Sequence, residues 1–197
     1  MTKTTKSERY AALVRERKQC RLCVGLRNPA EADLAAFDSD EIGPWSRLHR
    51  DLEADLMVIG QDWGDVRYYT RNKGLDDFRN PTMRTLERLL CGIGMDVSLA
   101  AYGTGQQRVF LTNAILCLKD GGLQAQVDRQ WFNNCGGNFL RQQMEIVAPP
   151  VAVALGQKAY EAVLGAFGIE AGTFRSAVED EAGTPVPNGS RLFAVYH

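Results

Sequence analysis

Four short apolar runs are the strongest pattern along the chain. They cover about residues 55–61, 109–117, 151–156 and 192–197, with glycine, proline or polar residues at their borders. Runs of this length and setting are typical of strands that are buried on both faces. Between them, apolar residues recur every three or four positions, which predicts helices. The alternation of strand and helix indicates a parallel sheet that is covered by helices on both sides.

The helical pattern has recognisable start and stop residues. Ser7 can cap a first helix that ends near Cys20, and Asn80 followed by Pro81 is a typical helix start. Residues 63–79 show no clear period and are expected to form a loop. The inward faces predicted for the four main helices consist of Tyr10, Leu13, Val14 and Arg17; Met83, Leu86, Leu89, Leu90 and Ile93; Val127, Trp131, Cys135 and Phe139; and Tyr160, Val163, Leu164 and Phe167.

The predicted fold class is α/β, a three-layer α/β/α arrangement with a four-stranded parallel sheet that forms a single domain over residues 1–197. The composition, 45% hydrophobic and 24% charged, is ordinary for a globular protein. No apolar stretch approaches the ~20 residues that a bilayer crossing needs, and the polar, basic N-terminus has no apolar leader region. We therefore expect no membrane association and a cytoplasmic location.

The net charge of −1 hides an uneven distribution of charged side chains. Residues 1–28 carry eight basic and two acidic side chains, whereas residues 31–55 carry eight acidic and two basic ones. A basic segment of this kind suits a polyanion such as nucleic acid. It equally suits the solvated face of a helix, so the charge pattern leaves both interpretations open.

Five cysteines in a chain with cytoplasmic features indicate metal ligands or reactive thiols rather than disulfides. Cys20 and Cys23 form a CxxC pair, and Cys117 and Cys135 lie far downstream. Four such thiolates can enclose a zinc ion or a 4Fe–4S cluster, and spacing alone does not distinguish the two. Cys117 and Cys135 also fit ordinary buried thiols, since both lie in apolar patterns. Cys91 is assigned to helix packing.

The end of the first predicted strand is the main candidate for ligand binding. Gly60, Gln61 and Asp62 follow its apolar core, and open α/β sheets bind ligands at the carboxyl ends of their strands. A glycine at this position lets a ligand approach the backbone closely. A tight turn that uses these residues only for its geometry explains the same pattern.

With these segments in place, the chain resembles the uracil-DNA glycosylase superfamily, and most of all its iron–sulfur (family 4) branch. The resemblance runs from about Cys20 to His197, nearly the whole chain. Its pieces are residues 58–62 (VIGQD, the first motif), 82–94, 111–117, 135–156 and 195–197. Their order and spacing together make the resemblance specific.

The resemblance implies an enzyme of base-excision DNA repair, which hydrolyses the N-glycosidic bond of uracil or a related deaminated base after the base has left the DNA stack. It implies that Asp62 and His197 are catalytic. The Asp62 carboxylate would stabilise the sugar cation and orient water, and the His197 imidazole would donate to uracil O2 as negative charge builds there.

The same resemblance implies how the base is held. The amide of Asn113 would match the N3–H and O4 edge of uracil, Phe78 would stack on the ring, and the backbone of the first motif would hold the base. The residues implied to bind the base are therefore Gly60, Gln61, Phe78 and Asn113. DNA, single- or double-stranded, is the implied partner, and we expect the protein to act as a monomer.

A 4Fe–4S cluster is the implied cofactor, with zinc as the alternative. Its ligands would be Cys20, Cys23, Cys117 and Cys135, and its role would be structural, because no hydrolytic step needs electrons. The cluster would tie the basic N-terminal segment to the second strand and the helix that follows, and bring its basic residues near DNA phosphates.

Several residues depart from the family pattern. Gln61 stands where the iron–sulfur branch usually carries Glu, so the motif is mixed. Trp63 replaces a common proline and is expected to narrow or reshape the pocket, and Gly64 stands where the best-known uracil enzymes place the tyrosine that excludes thymine. The family also continues beyond His197 with a Pro-Ser segment that presses into the minor groove; either the chain is truncated or it lacks this wedge.

These departures keep an alternative open, a non-catalytic or altered-specificity relative that binds DNA or damaged bases. A nucleotide-binding α/β protein with a zinc clip is more remote, because no glycine-rich phosphate fingerprint follows any strand.

Overall fold

A computed structural model describes residues 4–43, 51–75, 77, 80–95, 108–122 and 125–197 of the chain. Phe78, the predicted stacking residue, lies outside the described residues. The strands, in chain order, are β1 (Leu26–Arg27), β2 (Leu56–Gly60), β3 (Val109–Asn113), β4 (Leu118–Lys119), β5 (Val151–Leu155), β6 (Thr184–Pro185) and β7 (Arg191–Val195). The α-helices are α1 (Lys6–Gln19), α2 (Val66–Arg71), α3 (Pro81–Gly92), α4 (Arg129–Cys135), α5 (Arg141–Val147), α6 (Gln157–Ala166) and α7 (Phe174–Glu179).

Four strands form the parallel sheet that the apolar runs predict. Their order is β3-β2-β5-β7, all parallel, and helices flank the sheet, so the predicted α/β class is confirmed. The sheet has one strand more than the four that were predicted. The additional strand, β6, is short and pairs antiparallel with β7. Outside this sheet, β1 and β4 form a two-stranded antiparallel ribbon.

Side chains of each strand alternate between the two faces of the sheet. On β2, Leu56 and Val58 pack against the inner side of α3, whereas Met57 and Ile59 pack on the opposite face with residues of α1, α5 and α6. Both faces are therefore covered by helices. A ligand is therefore expected to bind at the carboxyl ends of the strands, as in other open α/β sheets.

The first helix has the predicted inward face but a different start. Its N-cap is Thr5 instead of Ser7, because the Thr5 hydroxyl accepts from the Glu8 backbone and the Glu8 carboxylate accepts from the Thr5 backbone. The predicted helix through Phe139 is also present; α4 continues into α5 through a π-helical turn at Gly136–Leu140. Among the described residues, no helix combines the length and the apolar character that a bilayer crossing needs.

The third helix begins as predicted, with Asn80 as its cap and Pro81 in its first turn. Its inward stripe is narrower than the sequence suggests and consists of Met83, Leu86 and Leu90. Leu89 and Ile93 are exposed and lie outside the helix face that packs on the sheet. Cys91 is exposed as well, so its assignment to packing was wrong.

The loop predicted over residues 63–79 contains a helix. Asp65 caps α2 by accepting from the Tyr68 backbone at 2.6 Å. A helix of six residues is too short to show a period in the sequence. Tyr69 is buried, and the cluster around it contains Leu34, Trp63 and Leu118. Trp63 therefore packs in this cluster, and its expected effect on the shape of the pocket stays a prediction.

Among the described residues, four basic side chains of residues 1–28 form ion pairs with carboxylates of the acidic segment. The buried guanidinium of Arg17 pairs with Asp38 at 2.9 Å. Further pairs across the two segments are Lys6–Glu53, Lys18–Asp40 and Arg27–Asp33. A cation paired with a carboxylate attracts phosphate less than an unpaired one. Contact of this segment with DNA stays a prediction, and it now falls on the exposed side chains of Arg9, Arg15 and Arg21.

Candidate active site

Two loops run side by side at the carboxyl end of the sheet. β2 and β3 end in register at Gly60 and Asn113. Backbone hydrogen bonds continue past that point, from Ala114 to Gly60 (2.9 Å), from Ile115 to Gln61 (3.0 Å) and from Lys119 to Gly64 (3.1 Å). The first-motif loop is therefore held at three points against residues 114–119.

The side chain of Asn113 lies against the backbone of Gly60. A Cβ atom placed on Gly60 would overlap the Asn113 Oδ1 atom. Any residue other than glycine would displace the amide, so the close approach of these two positions requires glycine. Asn113 is half-buried. Two of the predicted base-binding residues are thus in direct contact.

The Asp62 carboxylate is almost fully enclosed, with 7% of its side chain exposed. Its Oδ2 atom lies 3.2 Å from the Lys119 ammonium and accepts from the Gln61 amide at 2.6 Å, and its Oδ1 atom accepts from the Gly64 backbone at 2.9 Å. A carboxylate has about four accepting positions. Within the described part of the chain one position, on Oδ1, is left for another donor.

His197 lies two residues past β7 at the same edge of the sheet. Its Nε2 atom is 3.2 Å from the Thr82 hydroxyl, in the first turn of α3. Its Cβ would be 3.4 Å from a Cβ placed on Gly156, which directly follows β5. When the hydroxyl donates to Nε2, the imidazole proton is on Nδ1. The exposed ring is thereby held beside the helix start.

The predicted site residues fall into two groups at one edge. The first-motif residues and Asn113 surround the ends of β2 and β3, and His197 lies at the ends of β5 and β7. That these side chains enclose one base stays a prediction. The sequence analysis missed Lys119 and Thr82, because nothing in the local pattern links either residue to the partner that it contacts.

The four cysteines predicted as metal ligands line one cavity, together with Arg17 and Phe139. They come from the loop after α1, the segment before β4 and the end of α4. Asn28 supports the first loop, because its side-chain amide donates to the carbonyls of Arg17 and Cys20 at 2.8 and 3.0 Å. Residues far apart in sequence therefore converge here.

The thiols of this cavity influence one another. The pKa of Cys23 falls to about 6, because its sulfur accepts hydrogen bonds from the Cys135 thiol and from the Asn134 amide. The pKa of Cys135 is raised, since it donates to Cys23 and is buried. Burial also raises the pKa of Cys117 to about 12.

The donor set of this cavity suits either a zinc ion or a 4Fe–4S cluster, which both take four cysteine ligands. Among the described residues, no three His, Cys, Asp or Glu side chains are grouped so that they could hold a metal ion. A tetrahedral zinc with Zn–S bonds of ~2.3 Å needs its sulfurs within about 4 Å of each other. The thiols thus share a cavity without the close grouping of a single-ion site.

Comparison with known proteins places the chain in a family. Residues 48–197 match the family described as the Uracil DNA glycosylase superfamily. A search of curated proteins gave no match. The matched region contains Asp62, Asn113 and His197 and begins after Cys20 and Cys23. Because it covers well over half of the sequence, the chain belongs to the uracil-DNA glycosylase superfamily.

Proposed function

We propose that this protein is a DNA glycosylase of the iron–sulfur branch, which removes uracil or a related deaminated base that has left the DNA stack. Superfamily membership supports action on DNA. The observation that carries the proposal is the placement of an acid, an amide and an imidazole at one edge of the sheet, on Asp62, Asn113 and His197.

The proposed reaction is hydrolysis. The bond between the sugar carbon and the base breaks, and its electron pair leaves with the base. Water then bonds to the sugar carbon, and a proton released from that water neutralises the departed base. The Asp62 carboxylate would stabilise the cationic sugar and hold the water through the accepting position on Oδ1 that its neighbours leave open.

Asn113 is proposed to read the base. An amide offers one acceptor and two donors, so it can accept from N3–H and donate to O4 of uracil, whereas cytosine presents the opposite pattern on that edge. Contact with Gly60 limits where the amide can lie. A fixed amide discriminates better than a mobile one, because a mismatched base then leaves polar groups unpaired.

His197 is proposed to donate a hydrogen bond to uracil O2 as negative charge develops on the leaving base. The Thr82 hydroxyl would fix the ring by its contact with Nε2. When the Thr82 hydroxyl donates to Nε2, the proton is on Nδ1, and Nδ1 would then be the donating atom. A ring that is already oriented loses less conformational entropy in reaching the transition state.

The cysteine cavity is proposed to hold a 4Fe–4S cluster through Cys20, Cys23, Cys117 and Cys135. Four thiols lining one cavity support a four-cysteine cofactor. When bound, the cluster supplies a covalent tie between three chain segments, which stabilises the fold around the site.

A second candidate is a relative that binds DNA or damaged bases without cleaving them. The specific observation in its favour is the enclosure of Asp62 between Lys119, Gln61 and Gly64. A carboxylate with three partners has less capacity to act on water than an open one. This candidate predicts substrate binding without release of the base.

The deciding experiment measures release of free base from single- and double-stranded oligonucleotides that contain uracil, hypoxanthine or xanthine. We expect uracil release by the wild type and a loss of at least about 100-fold in Asp62→Asn, with Glu170→Gln as an exposed control. Binding of the uracil oligonucleotide without release would favour the second candidate. Absence of both would contradict the proposed function.

A further inference from the structure

We infer that Lys119 is a positioning residue that holds the Asp62 carboxylate in its working orientation. The inference rests on the proposed glycosylase function, because it assigns a role to Lys119 at the same site. Its starting point is the ion pair between the Lys119 Nζ and Asp62 Oδ2 atoms at 3.2 Å.

Both members of this pair are buried. The Lys119 side chain is 4% exposed and the Asp62 side chain is 7% exposed. A buried carboxylate that lacks a cation is strongly unfavourable, because its charge has lost hydration without compensation. The other two partners of Asp62, the Gln61 amide and the Gly64 backbone, are neutral. Lys119 is therefore the described partner that supplies the compensating charge.

The backbone of Lys119 is fixed on two sides. It pairs with Leu26 in the ribbon of β1 and β4, and its N–H donates to the Gly64 carbonyl at 3.1 Å. The second bond joins Lys119 to the loop that carries Asp62. The Lys119 side chain therefore extends from a fixed backbone. Its ammonium contacts Oδ2 of Asp62, while the Gly64 N–H donates to Oδ1, so the two carboxylate oxygens are held from different sides.

Lys119 acts through Asp62 and not on DNA directly. A side chain with 4% exposure has almost no surface to offer a phosphate or a base. Its ion pair and the Gln61 amide both occupy Oδ2, which leaves the remaining accepting position on Oδ1. The cation therefore determines which oxygen can meet the water and the sugar.

The first test compares single-turnover base release and substrate affinity in Lys119→Met, Lys119→Arg and the wild type, all well below their Tm values. We expect Lys119→Met to lose about 10- to 100-fold in rate, because small displacements of a reacting group have effects of this size. DNA affinity should change less than about threefold, and Lys119→Arg should recover much of the rate because it keeps the charge. Equal rates in Lys119→Met and the wild type would overturn the inference, and so would a loss confined to affinity.

The second test measures the ion pair without using activity. Lys119→Met should lower the Tm by about 10 °C, and the double variant Lys119→Met/Asp62→Asn should regain most of that loss. Arg175→Met, which opens the exposed pair with Glu179, is the control and should shift the Tm by less than about 3 °C. Simple addition of the two single shifts would overturn the inference.

The two tests separate this inference from the proposed function. A wild type that releases no base contradicts the glycosylase assignment, while the Tm cycle still reports on the ion pair. A wild type that releases base, with full activity in Lys119→Met, contradicts only the role of Lys119.

Discussion

Arg17 and Asp38 form a buried ion pair between the first helix and the acidic segment. The guanidinium donates to the two carboxylate oxygens at 2.9 and 3.1 Å, and the side chains are 1% and 5% exposed. The same guanidinium donates to the carbonyls of Ser39 and Glu41. This pair therefore fixes α1 to the acidic segment. Arg17 also lines the cysteine cavity, so the pair lies next to that cavity.

Replacement of Arg17 by Met should destabilise the protein strongly, since it leaves Asp38 buried without its main cation. We expect a loss of about 3–5 kcal/mol, or a Tm lower by roughly 10 °C. Thermal unfolding measures this, with Arg175→Met as the control because its pair with Glu179 is exposed. Similar shifts in the two variants would contradict the prediction.

Replacement of Gly60 by Ala should impair the reading of the base more than the fold. The added Cβ would overlap Asn113 Oδ1, the far end of a side chain that can rotate away. We expect base release to fall by about 10- to 100-fold, as for the loss of one or two hydrogen bonds to a buried partner. Gly137→Ala is the matched control, because nothing lies within 4 Å of its added Cβ. Activity like the wild type in Gly60→Ala would show that Asn113 does not read the base.

Replacement of Thr82 by Val should loosen His197 without changing the shape of α3. The lost contact is the 3.2 Å hydrogen bond to Nε2, and one neutral hydrogen bond corresponds to a decrease of about 3- to 10-fold in rate. Single-turnover base release tests this. Thr82→Ser, which keeps the hydroxyl, should stay near the wild type, and Thr85→Val provides an exposed control on the same helix. A rate in Thr82→Ser as low as in Thr82→Val would argue against the hydroxyl contact.

Serine substitutions at the cavity cysteines should remove the proposed cofactor. We expect protein purified without oxygen to contain iron and absorb visible light, and Cys117→Ser and Cys135→Ser to lose most of both, because the proposed cluster would use all four cavity cysteines as ligands. Metal analysis and absorption spectra measure the outcome. Cys91→Ser, at an exposed cysteine outside the cavity, should keep its iron. Colourless wild-type protein with bound zinc would contradict the iron–sulfur proposal.

The predictable parts of the fold are those with enough residues to form a pattern. β2, β3, β5 and β7 were predicted, because five consecutive mostly apolar residues between turn residues distinguish a buried strand. α2, α7 and β6 were missed, since each is too short to establish a period. The exposure of Leu89 on α3 could not be anticipated either, because the sequence gives the apolar residues of a helix but not the width of its contact with the sheet.

The candidate site divides in the same way. Asp62 could be named because it follows an apolar strand, whereas Asn113 and His197 were named only through the resemblance to the superfamily. Lys119 could not, since its pairing with Asp62 depends on the two loops running side by side past the strand ends. The charge pattern suggested a basic face. In the structure, several of its basic side chains form ion pairs with the acidic segment. The sequence could not show these pairs, because they depend on how the two segments pack against each other.

By itself the sequence determined the alternation of strands and helices and the chemical groups at the strand ends, because both follow from the local order of apolar, polar and glycine residues. Only the tertiary structure decided which of those groups meet. Contacts such as Asp62 with Lys119, Gly60 with Asn113 and His197 with Thr82 join positions that are distant in the chain. Their partners are selected by strand order and loop path, which are properties of the packed chain as a whole.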